Sequence, residues 1–188
     1  LTVGAAPRLG TDSLLVGTER VNNAELGLKS TLFDGRLQLN SNLFWAEVHG
    51  YQANVYDQIN RVQYLANAGR VRSRGLEFEA TALPIRGLTV NFNGSWNDVR
   101  YTEYKDAPCP PEVSLANATA TCDLSGHQVV GASKYIANLN TQYKWQATEH
   151  VEPYVTASYA FRSKAVGTID DSDFGQIPSY ALVNLSAG

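Results

Sequence analysis

The chain has 188 residues, enough for one ordinary domain, and carries 15 basic against 18 acidic residues with a sequence pI near 5.6. That balance excludes the strongly basic footprint of a nucleic-acid-binding protein. Hydrophobic residues make up 44% of the chain, yet its longest apolar runs, such as Leu43-Phe44-Trp45-Ala46, fall far short of the ~18 consecutive apolar residues of a transmembrane helix.

Taken in chain order, the segments alternate with a period of two. Over residues 22–33 the apolar positions are Ala24, Leu26, Leu28 and Leu32, and Asp34-Gly35 then signals a tight hairpin, glycine supplying the positive φ of a primed turn. Residues 36–56 alternate through Leu37, Leu39, Leu43 and Trp45, with Phe44 interrupting the polar face. Residues 62–83 set Leu76, Phe78, Ala80 and Ala82 against Glu77, Glu79 and Thr81, but upstream of Gly75 the apolar parity is taken by Arg70, Arg72 and Arg74. Either a bulge at Gly75 resets the register or the arginines stand above the lipid core; the sequence leaves both open.

The pattern is cleanest further on. Residues 88–104 place Leu88, Val90, Phe92 and Trp96 opposite Asn91, Asn93, Ser95 and Asn97. Residues 133–146 oppose Leu139 and Tyr143 to Asn138 and Asn140, and residues 150–164 oppose Val155 and Tyr159 to Thr156 and Ser158. Residues 178–188 alternate through Ala181, Val183, Leu185 and Ala187. Successive strand side chains point to opposite faces, so this pattern gives one apolar and one polar surface. A helix could align Tyr135, Leu139 and Tyr143 but would put Ala137, Thr141 and Trp145 on another side.

The connections alternate too: short at Asp34-Gly35, Pro84–Gly87 and Ala147–Glu149, long and polar around Asp57–Arg61, Lys105–Ala132 and Lys164–Ile177. Short turns at one end and long loops at the other are the plan of outer-membrane barrels. A soluble β-sandwich also alternates, but three features favour the membrane. The inferred strands run to roughly 10–17 residues where ~5–6 is usual. Their polar face is rich in Asn, Gln, Ser and Thr, as a wet lumen requires. Aromatic residues gather at strand ends, with Phe33, Tyr143 and Trp145 by short turns and Tyr101 and Tyr104 by a long loop, where interfacial girdles belong. The expected fold is all-β, with long antiparallel up-and-down strands forming a partial segment of a transmembrane β-barrel. Val90, Phe92, Leu139, Tyr143, Val155 and Tyr159 should then face lipid, and Asn91, Asn93, Asn138 and Asn140 the lumen, with Thr156 and Ser158.

Cys109 and Cys122 share one Pro/Ala/Thr-rich stretch, which suits a loop disulfide in an oxidising compartment. Closing a loop of about 14 residues stabilises by roughly 3 kcal/mol in the chain-entropy picture. Tyr51, Tyr56 and Tyr104 are candidate extracellular ligand contacts. Enzymatic signals are lacking: His49, His127 and His150 have no metal-ligand spacing, and Asp171, Asp173 and Gly175 are a calcium-loop fragment without its distal glutamate. Glu77 and Glu79 read as barrel-wall carboxylates rather than an acid/base pair, and the sequon Asn117-Ala118-Thr119 as incidental.

Several stretches carry a family resemblance. Asn23–Ser30 (NAELGLKS) resembles the "YELGLK" strand of TonB-dependent outer-membrane receptors, and Asp34–Trp45 resembles their "DGRL-LN-ALFY" hairpin. Asn67–Glu79 (NAGRVRSRGLEFE) is similar to "NAGKxRSKGxExE" and is the most specific match. Gly87–Val90, Trp96–Tyr101 and Cys122–Gly126 continue the resemblance in family order. Such receptors are ~22-stranded barrels closed by an N-terminal plug. The resemblance implies active uptake of a scarce ligand, above all a ferric siderophore, driven through TonB and an inner-membrane motor. Its implied partners are the lipid bilayer with its lipopolysaccharide, TonB and the small ligand; it implies no cofactor. The alternatives are a passive diffusion pore, a structural surface barrel and a soluble β-sandwich binding domain.

The chain contains no methionine and opens without a leader sequence, so it reads as a processed product or an excerpt. Seven inferred strands cannot make a complete single-chain bacterial barrel, whose strand number is even. The expectation is an open antiparallel sheet.

Overall fold

A computed structural model describes residues 16–57, 62–67, 69–105, 107–116 and 121–188. The sequon at 117–119 and the loop tip at 58–61 lie outside the described residues. One antiparallel sheet dominates, built from β1 (Arg20–Leu32), β2 (Leu37–His49), β5 (Arg70–Ala82), β6 (Leu88–Glu103), β9 (Tyr135–Lys144), β10 (Tyr154–Arg162) and β13 (Tyr180–Ala187) in that spatial order. Every neighbouring pair is antiparallel, and β1 and β13 form the two edges. Three two-stranded pieces lie in the long connections: β3 (Gln52–Asp57) with β4 (Val62–Asn67), β7 (Ala107–Pro108) with β8 (Thr121–Cys122), and β11 (Ala165–Val166) with β12 (Gln176–Ile177).

Two sequence expectations need correction. The strands anticipated over 36–56 and 62–83 are each divided: β2 ends at His49 and β5 begins at Arg70, and the outer part of the hairpin becomes β3 and β4. Gly50 (φ 68°) and Gly69 (φ 102°) lie at the level of the break, in a backbone region open to glycine without penalty. Strict alternation passes over this break because neither glycine disturbs the parity of its neighbours. The remaining strands shift by a few residues at their ends; β9, expected over 133–146, covers Tyr135–Lys144, and β10, expected over 150–164, covers Tyr154–Arg162.

The choice left open at Gly75 is settled by the register. Leu76 pairs with Trp96, Gly75 with Asn97 and Arg74 with Asp98 without interruption, and the only shift between β5 and β6 falls at Arg70/Val71. Gly75 serves packing instead. It is the direct partner of Phe44, whose ring would lie 2.7 Å from a Cβ placed there, and that Cβ would also run into the Trp96 carbonyl oxygen. Phe44, the residue that breaks the polar face of β2, therefore covers the space that its glycine partner leaves empty. Gly75→Ala should destabilise the sheet by about 1–3 kcal/mol, as overpacking does, because a backbone carbonyl cannot move aside as a side chain can. Equilibrium urea unfolding of the variant in detergent would check this; an unchanged midpoint would remove the packing role.

The faces are those of the alternation. Leu26, Leu43, Leu76, Trp96 and Tyr135 lie along one register row on the apolar face and are all exposed. An all-β chain that leaves so many large apolar side chains uncovered on one contiguous face needs an apolar surrounding. Along β6 that face runs from Leu88 to Trp96, eight steps of ~3.3 Å or about 26 Å, which at a strand tilt of ~40° spans about 20 Å of the ~25 Å apolar band of outer-membrane barrels. Aromatic residues mark both ends. Tyr143 stacks on Trp145 beside the short turn (centroids 5.5 Å apart, planes at 19°), and Trp45, Trp96 and Tyr135 lie at the other end. Tyr101 and Tyr104, expected in that outer girdle, are instead only 1% and 5% exposed.

Candidate functional site

On the polar face the asparagines meet in a block. Asn91 pairs with Asn140 and Asn93 with Asn138, so the four candidates sit two by two on β6 and β9. Asn138 Nδ2 donates to Asn93 Oδ1 (2.9 Å), and Thr81 Oγ1 donates to Asn91 Oδ1 (3.0 Å). The ladder continues outward with Asn42 donating to Glu25 (3.3 Å) and Asn40 to Glu79 (3.5 Å), and at the far edge Thr156 bonds Ser186 (2.8 Å). Such cross-strand pairs satisfy polar groups laterally and leave their outer lone pairs and protons for water or solute. Of these residues Glu25, Asn40, Asn42, Glu79 and Asn93 line a groove of about 650 Å³, together with Lys29 and Glu77. Glu25, Lys29 and Asn42 were not singled out from the sequence; their parity with Glu77 and Glu79 across β1, β2 and β5 would have identified them.

At the loop end, polarity reverses on this same face. Past Phe44, Ser73 and Asn97 the polar parity passes to Val48, Val71, Val99 and Tyr101. These residues are covered by the connecting segments. Val71, Tyr101, Tyr104, Ala107, Leu124 and Val129 form a buried cluster, against which Tyr51 and Ile169 pack. Tyr101 touches Tyr51 edge-on (6.2 Å) and Tyr104 tilted (5.0 Å). Backbone bonds from Val129 to Val99 (3.1 Å) and from Gly126 to Tyr101 (2.7 Å) hold the long connection against the end of β6. Burial pushes the Tyr104 phenol up to about 12, with Tyr64 adding to the rise.

The long connections are tied to each other as well. Cys109 and Cys122 are disulfide-bonded beside the β7–β8 ladder. Within the loop it closes, α1, a single turn at Pro111–Ser114, carries Glu112, whose Oε1 accepts from Ser172 Oγ (2.8 Å) and from the Asp173 N–H (3.0 Å). Its own backbone N–H and then the Ser172 hydroxyl hold the Glu112 carboxyl below the usual range. His127 Nδ1 lies 2.6 Å from Asp171 Oδ2, joining the same two connections a second time. In the calcium-loop fragment Asp171 is thus engaged through its carboxylate and Asp173 through its backbone N–H.

Of the three candidate ligand-contact tyrosines, Tyr51 is half-buried against Tyr101 and Tyr104 is buried in the cluster, its hydroxyl without a hydrogen-bond partner among the described residues. The side chain of Tyr56, on β3, lies outside the described residues. Exposed instead at the loop ends are Leu115 and Phe174, 89% and 88% accessible. Neither belongs to an alternating segment, so nothing in the sequence distinguishes them from other loop residues.

Residues 4–188 match the family model described as TonB dependent receptor-like, β-barrel. Among solved structures, the chain is similar to the ferric yersiniabactin uptake receptor FyuA from Yersinia pestis, with TM-score 0.67 and 17% identity over 90% of this chain and 22% of that one. It is also similar to the siderophore receptor PiuA from Acinetobacter baumannii (TM-score 0.66, 19% identity, 89% and 22% covered). BauA, the ferric preacinetobactin receptor of the same organism, gives TM-score 0.62 and 19% identity with the same coverage. The chain spans about a fifth of the length of these structures.

Proposed function

The chain belongs to the TonB-dependent receptor-like β-barrel family, barrels of the bacterial outer membrane, and from that premise we propose that it forms seven adjacent strands of a receptor for TonB-driven uptake of a ferric siderophore. The observation that carries the reading is the division of one sheet into an uncovered apolar face and a polar face roofed at one end by interlinked loops. In that arrangement the apolar face contacts lipid. The Asn91/Asn93/Asn138/Asn140 block lines the lumen, and the Cys109–Cys122 loop lies outside the cell. Siderophores are the favoured ligand because three of the similar solved structures are named for their uptake or reception.

Two measurements test this reading at different levels. In the full receptor, Asn93→Cys should react with a water-soluble maleimide while Leu139→Cys is protected in lipid vesicles; the reverse order would refute the face assignment. At the level of transport, cells lacking the receptor should lose siderophore-bound radiolabelled iron uptake under iron limitation. Removing TonB should produce the same loss. Uptake that persists without TonB would point to a passive pore and remove the energised mechanism.

A further inference from the structure

The segment from Leu124 to Gly131 lies along the outer end of β6 as a strap. The Gly126 N–H donates to the Tyr101 carbonyl (2.7 Å), the Tyr101 N–H to the His127 carbonyl (3.1 Å) and the Val129 N–H to the Val99 carbonyl (3.1 Å), which sets Arg100 and Gln128 opposite each other. On one face of the sheet the strap enters the buried cluster through Leu124 and Val129. On the other face the Arg100 side chain grips it. Its guanidinium donates through Nη1 to the Gly126 carbonyl (2.8 Å) and through Nε to Asp98 Oδ1 (2.7 Å). Asp98 is buried and shared with Arg74 (3.3 Å), so its carboxylate is fixed and orients Arg100 toward the strap.

The strap is bonded in turn to the second long connection. His127 Nδ1 meets Asp171 Oδ2, the Gly131 N–H donates to the Val166 carbonyl (2.8 Å), and Ile169 packs on the same cluster. From its far side Glu112 of α1 holds Ser172 and Asp173. Three features make the grip on the sheet releasable. Gly126 and Gly131 bound the working part of the strap, both at positive φ (87° and 76°), and a Cβ at either would meet nothing within 4 Å, so the backbone can turn there without collision. Arg100 is 43% exposed, so water can replace the Gly126 carbonyl as its acceptor. The Tyr104 hydroxyl is buried without a hydrogen-bond partner among the described residues, a cost of the shut arrangement that lifting would relieve.

We propose that the strap and the second connection bonded to it form one lid over the outer end of the polar face, and that Arg100, oriented by Asp98, is the clasp that holds it shut. The lid lifts as a unit when the clasp and the three backbone bonds let go, uncovering Val71 and Tyr101 at the entrance to the polar face. Its role as a gate for ligand rests on the receptor reading; its opening does not, and is measured without any ligand.

In the full receptor in lipid vesicles, Val71→Cys lies under the lid and reports opening through reaction with a water-soluble maleimide. Arg100→Gln should speed that reaction about tenfold, the factor for losing one hydrogen bond from a charged donor. Asp98→Asn should speed it less, because Arg100 keeps the Gly126 carbonyl. Leu139→Cys should stay protected in both backgrounds, which separates lid opening from unfolding of the sheet. A second measurement needs neither substitution. Arg100→Cys/Gln128→Cys sets two thiols at a non-hydrogen-bonded antiparallel pair, where Cα atoms lie ~4.5 Å apart and a disulfide can close. Oxidation by an added copper–phenanthroline oxidant, which takes two electrons as two protons leave the thiols, turns the clasp into a covalent one. Siderophore-iron uptake should stop in the oxidised form and return on reduction to the level of the parent receptor given the same reductant. Unchanged Val71→Cys labelling after removal of the clasp would overturn the lid, whatever the receptor carries. Full uptake through the oxidised pair would overturn its role as a gate. Absence of uptake by the parent receptor would instead sink the receptor reading and leave the labelling result in force.

Discussion

Tyr101→Ala should cost about 3–5 kcal/mol, the range for removing a large aromatic side chain from a packed interior. Tyr101 is 1% exposed and touches both Tyr51 and Tyr104, so its loss leaves a cavity at the centre of the loop cluster. The effect should concentrate in the loops, since β6 keeps its ladder to β5 and β9 below this point. Hydrogen exchange should therefore report faster exchange at Val129 and Gly126, whose N–H groups donate to Val99 and Tyr101, with Asn91–Asn97 protected as before. Uniform loss of protection along β6 would mean that the cluster supports the sheet as a whole. Unchanged exchange everywhere would mean that it supports neither.

The same cluster predicts a response to alkali. The Tyr104 phenol is raised from its ordinary value near 10 to about 12 in the folded protein. A raised folded value contributes stability that is complete below the unfolded value and lost as pH climbs through the folded one. Loop packing should thus hold up to about pH 10 and loosen toward pH 12.

These loop residues show why alternation reveals only part of the molecule. Between the short turns and the level of Gly75, a side chain's face follows from its parity, so it is legible from the sequence alone that Asn93 and Leu139 lie on opposite faces of the sheet. Above that level the parity persists but the surroundings exchange roles. Loops distant in sequence bring Leu124, Val129 and Ile169 over the polar parity, and Val71 and Tyr101 become interior. Arginines take over the opposite parity beyond Leu76 and Trp96. Arg72 and Arg74 therefore look like a register error in sequence, yet they pair with β6 without a shift, the one irregularity falling at Arg70/Val71.

Phe44 and Gly75 illustrate a second limit. Each is an anomaly in its own strand, and only the pairing of β2 with β5 shows that one fills what the other leaves. The reading of Tyr101 and Tyr104 as girdle residues fails for a related reason. Aromatic residues near a strand end serve equally as membrane anchors or as the floor of a loop cluster, and here Trp45, Trp96 and Tyr135 occupy the exposed positions.

Leu139→Arg should cost about 2–4 kcal/mol in lipid vesicles, the penalty for an arginine at the midplane of an outer-membrane barrel. Leu139 lies midway along β9, with Phe92 and Tyr159 as its lateral partners on the apolar face, and is 37% exposed. A guanidinium placed there meets neither water nor a carboxylate on its own face, because Asp98 and Glu47 lie beyond Trp96 and Trp45. Two companions separate this cause from general damage to the strand. Asn140→Arg projects from the opposite face of the same strand and should stay within about 0.5 kcal/mol of the parent. Val155→Arg keeps the apolar parity but sits opposite Tyr143 near the short turn, where the penalty falls to about 0–1 kcal/mol at the interface. Urea unfolding of the full receptor, followed by tryptophan fluorescence, gives all three values on one scale. A soluble sheet packed against a second protein layer would penalise Leu139 and Val155 alike, because a protein interior has no depth gradient of this kind. Equal costs at those two sites would refute the membrane assignment, while a steep cost at Leu139, a small one at Val155 and none at Asn140 is the signature of a bilayer on one face and water on the other.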